Sequence, residues 1–339
     1  MDTIFNTKSL ERSLVKWEDY LDILTPVEKI GEYWFKREDK FAPLGYGNIN
    51  GTKLRQLIWL INKYVKNNED LGNKLGIISG AISGSPQHPM VGAVAKHYKI
   101  PSINFVGTKN IEKSKNLFLA KNFGVEFYFS KIAYAKNLEI KSFQLKKNLY
   151  NDYFVLETNI TVKEKINTEE MIENFHLVSS SQIKNLPENI ENLFIPCGSC
   201  NSVVSILYGI AQFKPKNLKN IILFGIGSYG SKEPSYIIKR LSIIEKIYGK
   251  NINNLFNYDF VNEKENNKES TYNVKYYNLN GIGFCKYSDL MNYEYNGIIF
   301  HPRYEGKIFK YIEINKNIFL PYLNKNTCFW IIGSECTGE

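Results

Sequence analysis

Gly47-Asn48-Ile49-Asn50-Gly51-Thr52-Lys53-Leu54-Arg55-Gln56-Leu57 delivers one lysine from a loop of small, turn-forming residues to the start of an apolar helical segment. From Lys53 to about Lys66, the residues Leu54, Leu57, Ile58, Ile61 and Tyr64 recur on one helical face. Lys53 therefore stands near a helix N-terminus, where a cation needs a reason. A lysine amine forms Schiff bases with carbonyls, and a helix N-terminus suits a phosphate. A ligand carrying both groups would account for the pattern. A solvated lysine opening an ordinary helix would account for this segment alone.

Outward from that helix the chain alternates. Leu75 to Ser79, Ser102 to Gly107 and Val125 to Phe129 read as buried strands. Gln87 to Tyr98, Ile111 to Asn122 and a long segment ending near Leu149 read as helices. The pattern resumes with strands at Asn192 to Pro196 and Ile221 to Gly225 and helices at Asn201 to Phe213 and Glu233 to Tyr248. This order predicts an α/β fold of two open parallel-sheet domains with flanking helices and a ligand cleft between them. The expected boundaries are an N-terminal segment 1–48 joining the large domain, a small domain 49–155 and a large domain 156–339. An irregular surface insertion around weak strands is expected near 250–280, where Asn, Lys, Glu and Tyr crowd out periodicity.

The 339 residues are enough for two such domains. Tyr (23) and Phe (21) are unusually frequent, and Asn and Lys abound throughout, a bias that AT-rich codons produce. That bias weakens the meaning of the net charge of +9, whose lysines are dispersed rather than clustered as in most nucleic-acid binders. Nucleic acid stays a possible partner, because a basic surface attracts polyanions. No stretch reads as a signal peptide, and no run of eighteen apolar residues exists, so a cytoplasmic protein without a membrane partner is expected. Five cysteines without framework spacing suit a reducing compartment.

Three further segments carry chemistry. Cys197-Gly198-Ser199-Cys200-Asn201-Ser202 lies between a strand and a helix, where backbone N–H groups can face an anion; it also reads as a tight turn with an N-cap. Its C-x-x-C has no second ligand pair for zinc, so no metal is expected, and a redox pair is left open. Ser83-Gly84-Ser85-Pro86-Gln87-His88 offers hydroxyls and an amide to a carboxylate, with His88 as a proton carrier or a structural histidine. Phe300-His301-Pro302-Arg303-Tyr304-Glu305-Gly306-Lys307 puts a tyrosine and a glutamate at a strand-to-helix junction, where a glutamate also suits the helix dipole.

Together these segments resemble the pyridoxal-phosphate (PLP) enzymes of the tryptophan synthase β-like fold, fold type II. The most similar branch holds 1-aminocyclopropane-1-carboxylate deaminase and D-cysteine desulfhydrase. Lys36-Arg37-Glu38-Asp39 followed by Lys53-Leu54-Arg55-Gln56-Leu57 matches the branch's Lys-Arg-Glu-Asp and Lys-x-Arg-x-Leu. Ser85-Pro86-Gln87-His88 before Val91-Gly92-Ala93-Val94-Ala95 matches its Ser-Asn-Gln-Thr-like segment and Val-Ala-Ala-Val-Ala. His301 to Lys307 matches the deaminases' Asp-Pro-Val-Tyr-Glu-Gly-Lys. The resemblance implies that Lys53 is the Schiff-base lysine and that Gly198, Ser199, Cys200, Asn201 and Ser202 hold the cofactor phosphate. Glu305 would pair with the pyridine nitrogen. Ser85, Gln87 and His88 would face the substrate, and Tyr304 and Ser85 would join Lys53 in catalysis. It also implies a homodimer.

The chain departs from the branch at Pro86, where asparagine is usual, and at Cys200, which replaces a glycine of the phosphate loop. Asn50-Gly51-Thr52 reshapes the loop before the lysine, and Glu157 to Lys163 replaces a glycine-rich segment. These changes surround the substrate more than the lysine. The expected activity is a PLP-dependent lyase or deaminase acting on a small amino acid, releasing ammonia by β-elimination or ring opening. The alternatives are a PLP enzyme modifying an amino-acid adduct on nucleic acid, and an inactive binding protein of the same fold.

Overall fold

The computed structural model describes residues 21, 23–226, 233–259 and 270–334. Most of the N-terminal segment before Thr25, the middle of the 250–280 insertion and Cys336 lie outside the described residues. The described chain begins with a hairpin of β1 (Val27–Ile30) and β2 (Tyr33–Arg37). It continues through the Thr52–Lys66 helix, β3 (Ile77–Gly80), the Gln87–Tyr98 helix and β4 (Ser102–Val106). Next come the Lys115–Asn122 helix, β5 (Glu126–Phe129), the Ala135–Leu149 helix and β6 (Phe154–Leu156). The Glu169–Ser180 helix then leads to β7 (Asn192–Cys197), the Asn201–Phe213 helix, β8 (Asn220–Gly225) and the Glu233–Tyr248 helix. The last strands are β9 (Phe256–Tyr258), β10 (Tyr272–Asn278), the short pair β11 (Glu294–Tyr295) and β12 (Ile298–Ile299), and β13 (Thr327–Ile331), which follows the Glu305–Ile314 helix.

The described residues form two compact units, Phe41–Ile166 with residue 21, and 23–40 with 167–334. The first holds a four-stranded sheet in the order β5-β4-β3-β6, every pair parallel. Parallel neighbours need crossovers, and the intervening helices supply them. The inner strands β3 and β4 are buried along their whole length, which is why they read as continuous apolar runs rather than alternating ones.

The second unit holds a seven-stranded sheet in the order β1-β2-β13-β7-β8-β10-β9, parallel except for the β1–β2 hairpin. Alternation along the strands assigns its two faces. Leu193, Ile195, Ile221, Leu223 and Trp330 enter one cluster with Val203, Leu207 and Leu241 of the covering helices. Phe194, Ile222, Phe224 and Phe329 turn the other way, into an aromatic layer with Phe35, Phe300, Phe309 and Phe319. There Phe300 and Phe309 stack at 4.2 Å, and Phe194 and Phe329 approach to 4.9 Å.

The segment read as a surface insertion around weak strands contributes β10, a seven-residue internal strand between β8 and β9. Its Tyr272 and Val274 enter the first cluster and alternate with Asn273 and Lys275, so its apolar face is interrupted by polar residues along the sequence. β13, absent from the sequence reading, lies between β2 and β7. Among the described residues no helix is long and apolar enough to cross a membrane.

Candidate active site

Lys53, Ser85, Gln87 and His88 belong to the first unit, and Gly198 to Ser202, Tyr304 and Glu305 to the second. In the first, Gly51 precedes the helix with φ 94°, a conformation that a side chain would strain, and its N–H donates to the Phe41 carbonyl at 3.1 Å. That turn puts Lys53 in the helix's first turn, where the dipole disfavours a cation. Part of the side chain reaches solvent, yet burial around the amine pushes its pKa down to about 8. An amine so poised gives up its proton readily, as Schiff-base chemistry requires.

The segment beginning at Ser85 works mainly as scaffold. Ser85 Oγ accepts from Gln87 N–H at 3.2 Å, and Pro86 opens the helix with φ −67°, which a proline ring adopts without strain. Gln87 is buried and its amide is committed. Nε2 donates to Ser79 Oγ at 2.9 Å and to the Glu157 carbonyl at 3.3 Å, and Oε1 accepts from Asn159 N–H at 2.8 Å. Gln87 thereby fixes the 157–163 loop rather than presenting a free amide. His88 is also fully buried. Burial pushes its pKa down to about 4, and the neutral ring donates through Nε2 to the Ile82 carbonyl at 3.0 Å.

The 157–163 loop carries two consecutive non-glycine residues at positive φ, Asn159 at 67° and Ile160 at 51°. Such a conformation is costly for a β-branched residue. Lys163 pairs with both Glu139 and Glu157, and Glu139 accepts from Thr158 N–H at 2.8 Å, so the loop is clamped from both sides.

In the second unit, β7 ends at Cys197 and the next helix begins at Asn201. The Val204 N–H donates to the Cys200 carbonyl at 2.9 Å, so the N–H groups of Asn201, Ser202 and Val203 precede the first helical bond and have no acceptor within the helix. Cys200 has φ 61° and forms a disulfide with Cys197, closing the turn around Gly198 and Ser199. This bridge gives the C-x-x-C a structural partner that the sequence left undecided. A side chain at position 198 would lie 3.2 Å from the Tyr304 ring, so glycine lets that ring approach the turn. Tyr236 OH donates to Asn201 Oδ1 at 2.8 Å.

Tyr304 is buried, and its hydroxyl lies 3.2 Å from that of Tyr287. Burial holds its phenol pKa well above the ordinary value, so near neutrality it donates a proton rather than accepting one. Glu305 opens the Glu305–Ile314 helix at 3% exposure. Its Oε1 accepts from Ile332 N–H at 2.8 Å, while buried Oε2 has no hydrogen-bond partner among the described residues. Burial, with a smaller push from the charge of Asp39, raises its pKa to about 8. The rest of the Lys-Arg-Glu-Asp motif is framework. Lys36 Nζ donates to the Thr25 carbonyl at 2.9 Å, Arg37 pairs with Glu28 and Asp39 at 2.7 Å, and Glu38 accepts from Thr25 Oγ1 at 2.5 Å.

Taken unit by unit, the donors suit the parts of PLP: in the first, a depressed lysine suits its aldehyde; in the second, N–H groups without an acceptor in their helix suit its phosphate, and an orphaned carboxyl oxygen suits a pyridine N–H. Tyr287, Tyr236 and the Glu139–Lys163 clamp escaped the sequence reading, because each lies far along the chain from the motif it supports.

No family model matches the chain. Over 381 residues it is 34% identical to the O-seryl-dTMP PLP-dependent decarboxylase of Salmonella phage ViI, an alignment covering 98% of this chain and 87% of the relative. Among solved structures, an ACC deaminase homologue superposes with a TM-score of 0.66 at 16% identity, covering 92% of this chain and 89% of the other. The apo form of Escherichia coli diaminopropionate ammonia lyase gives 0.56 at 11% identity, with 99% and 92% covered. Threonine deaminase isoform 2 from Solanum lycopersicum gives 0.55 at 15%, with 94% and 84% covered. At these identities the structures show a shared fold.

Proposed function

The chain belongs to the PLP-dependent enzymes of fold type II, and we propose that within them it decarboxylates an amino acid carried as an adduct on a thymidine nucleotide. The observation that carries this reading is the 34% identity to the phage ViI O-seryl-dTMP decarboxylase across 98% of the chain. The net charge of +9 has the right sign for a phosphate-bearing substrate. A decarboxylase is itself a lyase, so the reaction stays within the class the motifs suggest while the bond broken becomes the one to the carboxylate.

Lys53 would hold the cofactor's aldehyde carbon, Gly198 to Ser202 its phosphate and Glu305 its pyridine nitrogen. When bound, PLP supplies an electron sink for the pair released as a bond at the substrate α-carbon breaks. The carboxylate leaves as CO2, one proton is taken up, and the amine stays on the nucleotide. The chain must therefore deliver a proton to carbon. Tyr304 keeps its proton through neutral pH, and Lys53, with a pKa of about 8, exchanges one readily, so both are suited to that delivery. Glu305, raised to about 8, would hold a proton for the ring nitrogen near neutral pH.

The test is to incubate purified holoenzyme with O-seryl-dTMP and follow CO2, ammonia and the nucleotide's mass. The expected product has lost CO2 and kept its amine, and borohydride reduction should fix PLP to Lys53. Ammonia and a keto acid formed from free amino acids, with the adduct untouched, would replace this reading by deamination of a small amino acid.

A further inference from the structure

Arg240 is an arginine with 3% of its surface exposed, on the Glu233–Tyr248 helix, and no carboxylate pairs with it among the described residues. Its Nε and Nη1 have no hydrogen-bond partner there. A buried guanidinium with idle donors is costly, so its retention asks for a compensating anion. Its one hydrogen bond among the described residues leads toward the 198–202 turn. Nη2 donates to Tyr236 OH at 2.9 Å, and that hydroxyl donates to Asn201 Oδ1 at 2.8 Å. Asn201 is the first residue of the helix that follows the turn.

A second branch reaches the same residue. Ser205 Oγ donates to the Asn201 carbonyl at 3.1 Å and lies 3.0 Å from His176 Nδ1. His176 is fully buried, and burial together with the charge of Arg240 holds its pKa well below the ordinary value. The ring is therefore neutral, and the positive charge behind the turn belongs to Arg240.

We propose that Arg240 is a positioning residue for the cofactor phosphate, holding Asn201 through Tyr236 and adding a buried positive charge behind the 198–202 turn. This rests on the reading of that turn as the phosphate site. It gives the idle guanidinium a counter-charge when the phosphate is bound, which the turn's neutral side chains do not provide.

The test compares PLP with pyridoxal, which has the aldehyde and ring but no phosphate, by titrating apoenzyme and reading bound-cofactor absorbance. Arg240→Met should weaken PLP binding at least tenfold and leave pyridoxal binding unchanged. Arg240→Lys should keep most of the PLP affinity, and Tyr236→Phe should fall between. Equal losses for both cofactors would make Arg240 merely structural and overturn the proposal. An unchanged preference of Arg240→Met for PLP over pyridoxal would overturn it too, while leaving the phosphate site standing. Wild-type protein that binds PLP no better than pyridoxal would remove the phosphate site itself. Circular dichroism of each apo variant separates misfolding from lost binding, and Arg240→Lys keeps the comparison open if Arg240→Met does not fold.

Discussion

Glu305 combines one satisfied oxygen, one orphaned oxygen and a pKa raised to about 8, so its proton is available to a ring nitrogen at neutral pH. Glu305→Gln preserves shape but cannot hold that proton as firmly. Turnover should fall by roughly tenfold to a thousandfold while PLP stays bound, as steady-state rates and the cofactor spectrum would show. Parental turnover would remove Glu305 from the ring. His88 makes a different prediction. Its folded pKa of about 4 lies below the unfolded value of 6.5, so the unfolded chain takes up more protons between them. The stability this gives is complete above pH 6.5 and is lost as pH falls to 4, by on the order of 3 kcal/mol. Denaturation curves across that window should flatten in His88→Gln, whose amide can still donate to Ile82; an unchanged slope would show that His88 titrates normally. Lys53 and Glu305 stand out in sequence because each sits in a short motif. Gln87 was legible as a residue but not in its role, since its partners Ser79, Glu157 and Asn159 come together only on folding.

Among the elements, the 157–163 loop shows how a segment without glycine reaches a conformation usually left to glycine. Asn159 and Ile160 sit at positive φ because Gln87, Glu139 and Lys163 hold the loop on each side. Gln87→Ala removes three hydrogen bonds and leaves the Asn159 N–H without its acceptor. The expected cost is roughly 2–4 kcal/mol, with hydrogen exchange quickening at 157–163 before it quickens in the sheet. Uniform exchange across the unit, or no loss in chemical denaturation, would mean that the loop holds itself. The crossover helices and buried strands were legible because their apolar runs have the right lengths. β10 and β13 were not. In β10 the polar Asn273, Lys275 and Asn278 interrupt Tyr272, Val274, Tyr276 and Tyr277, which pack into both clusters, so no clean period shows, while β13 is five residues long with no local signal for its place between β2 and β7.

Over the whole molecule, two parallel sheets with crossover helices follow from the order of elements, and the 23–40 hairpin is counted with the second unit because β2 pairs with β13 across nearly three hundred residues of sequence. That pairing is set by burial of Phe35 against Phe329 at 5.6 Å, which no local pattern announces. Net charge is the one global property the sequence states outright, and its use depends on the substrate. A phosphate-bearing adduct within a polynucleotide engages many charges at once, whereas a mononucleotide engages few. Each phosphate contact releases condensed counterions, so the logarithm of affinity falls with the logarithm of salt at a slope near 0.7–0.9 per contact. If the +9 charge serves the substrate, kcat/KM for the adduct in single-stranded DNA should exceed that for O-seryl-dTMP at low salt. That advantage should shrink steeply as salt rises, with kcat nearly constant because the chemistry at the α-carbon involves no counterion. Equal, salt-insensitive kcat/KM values for the two substrates would instead assign the charge to codon bias and confine recognition to the nucleotide itself.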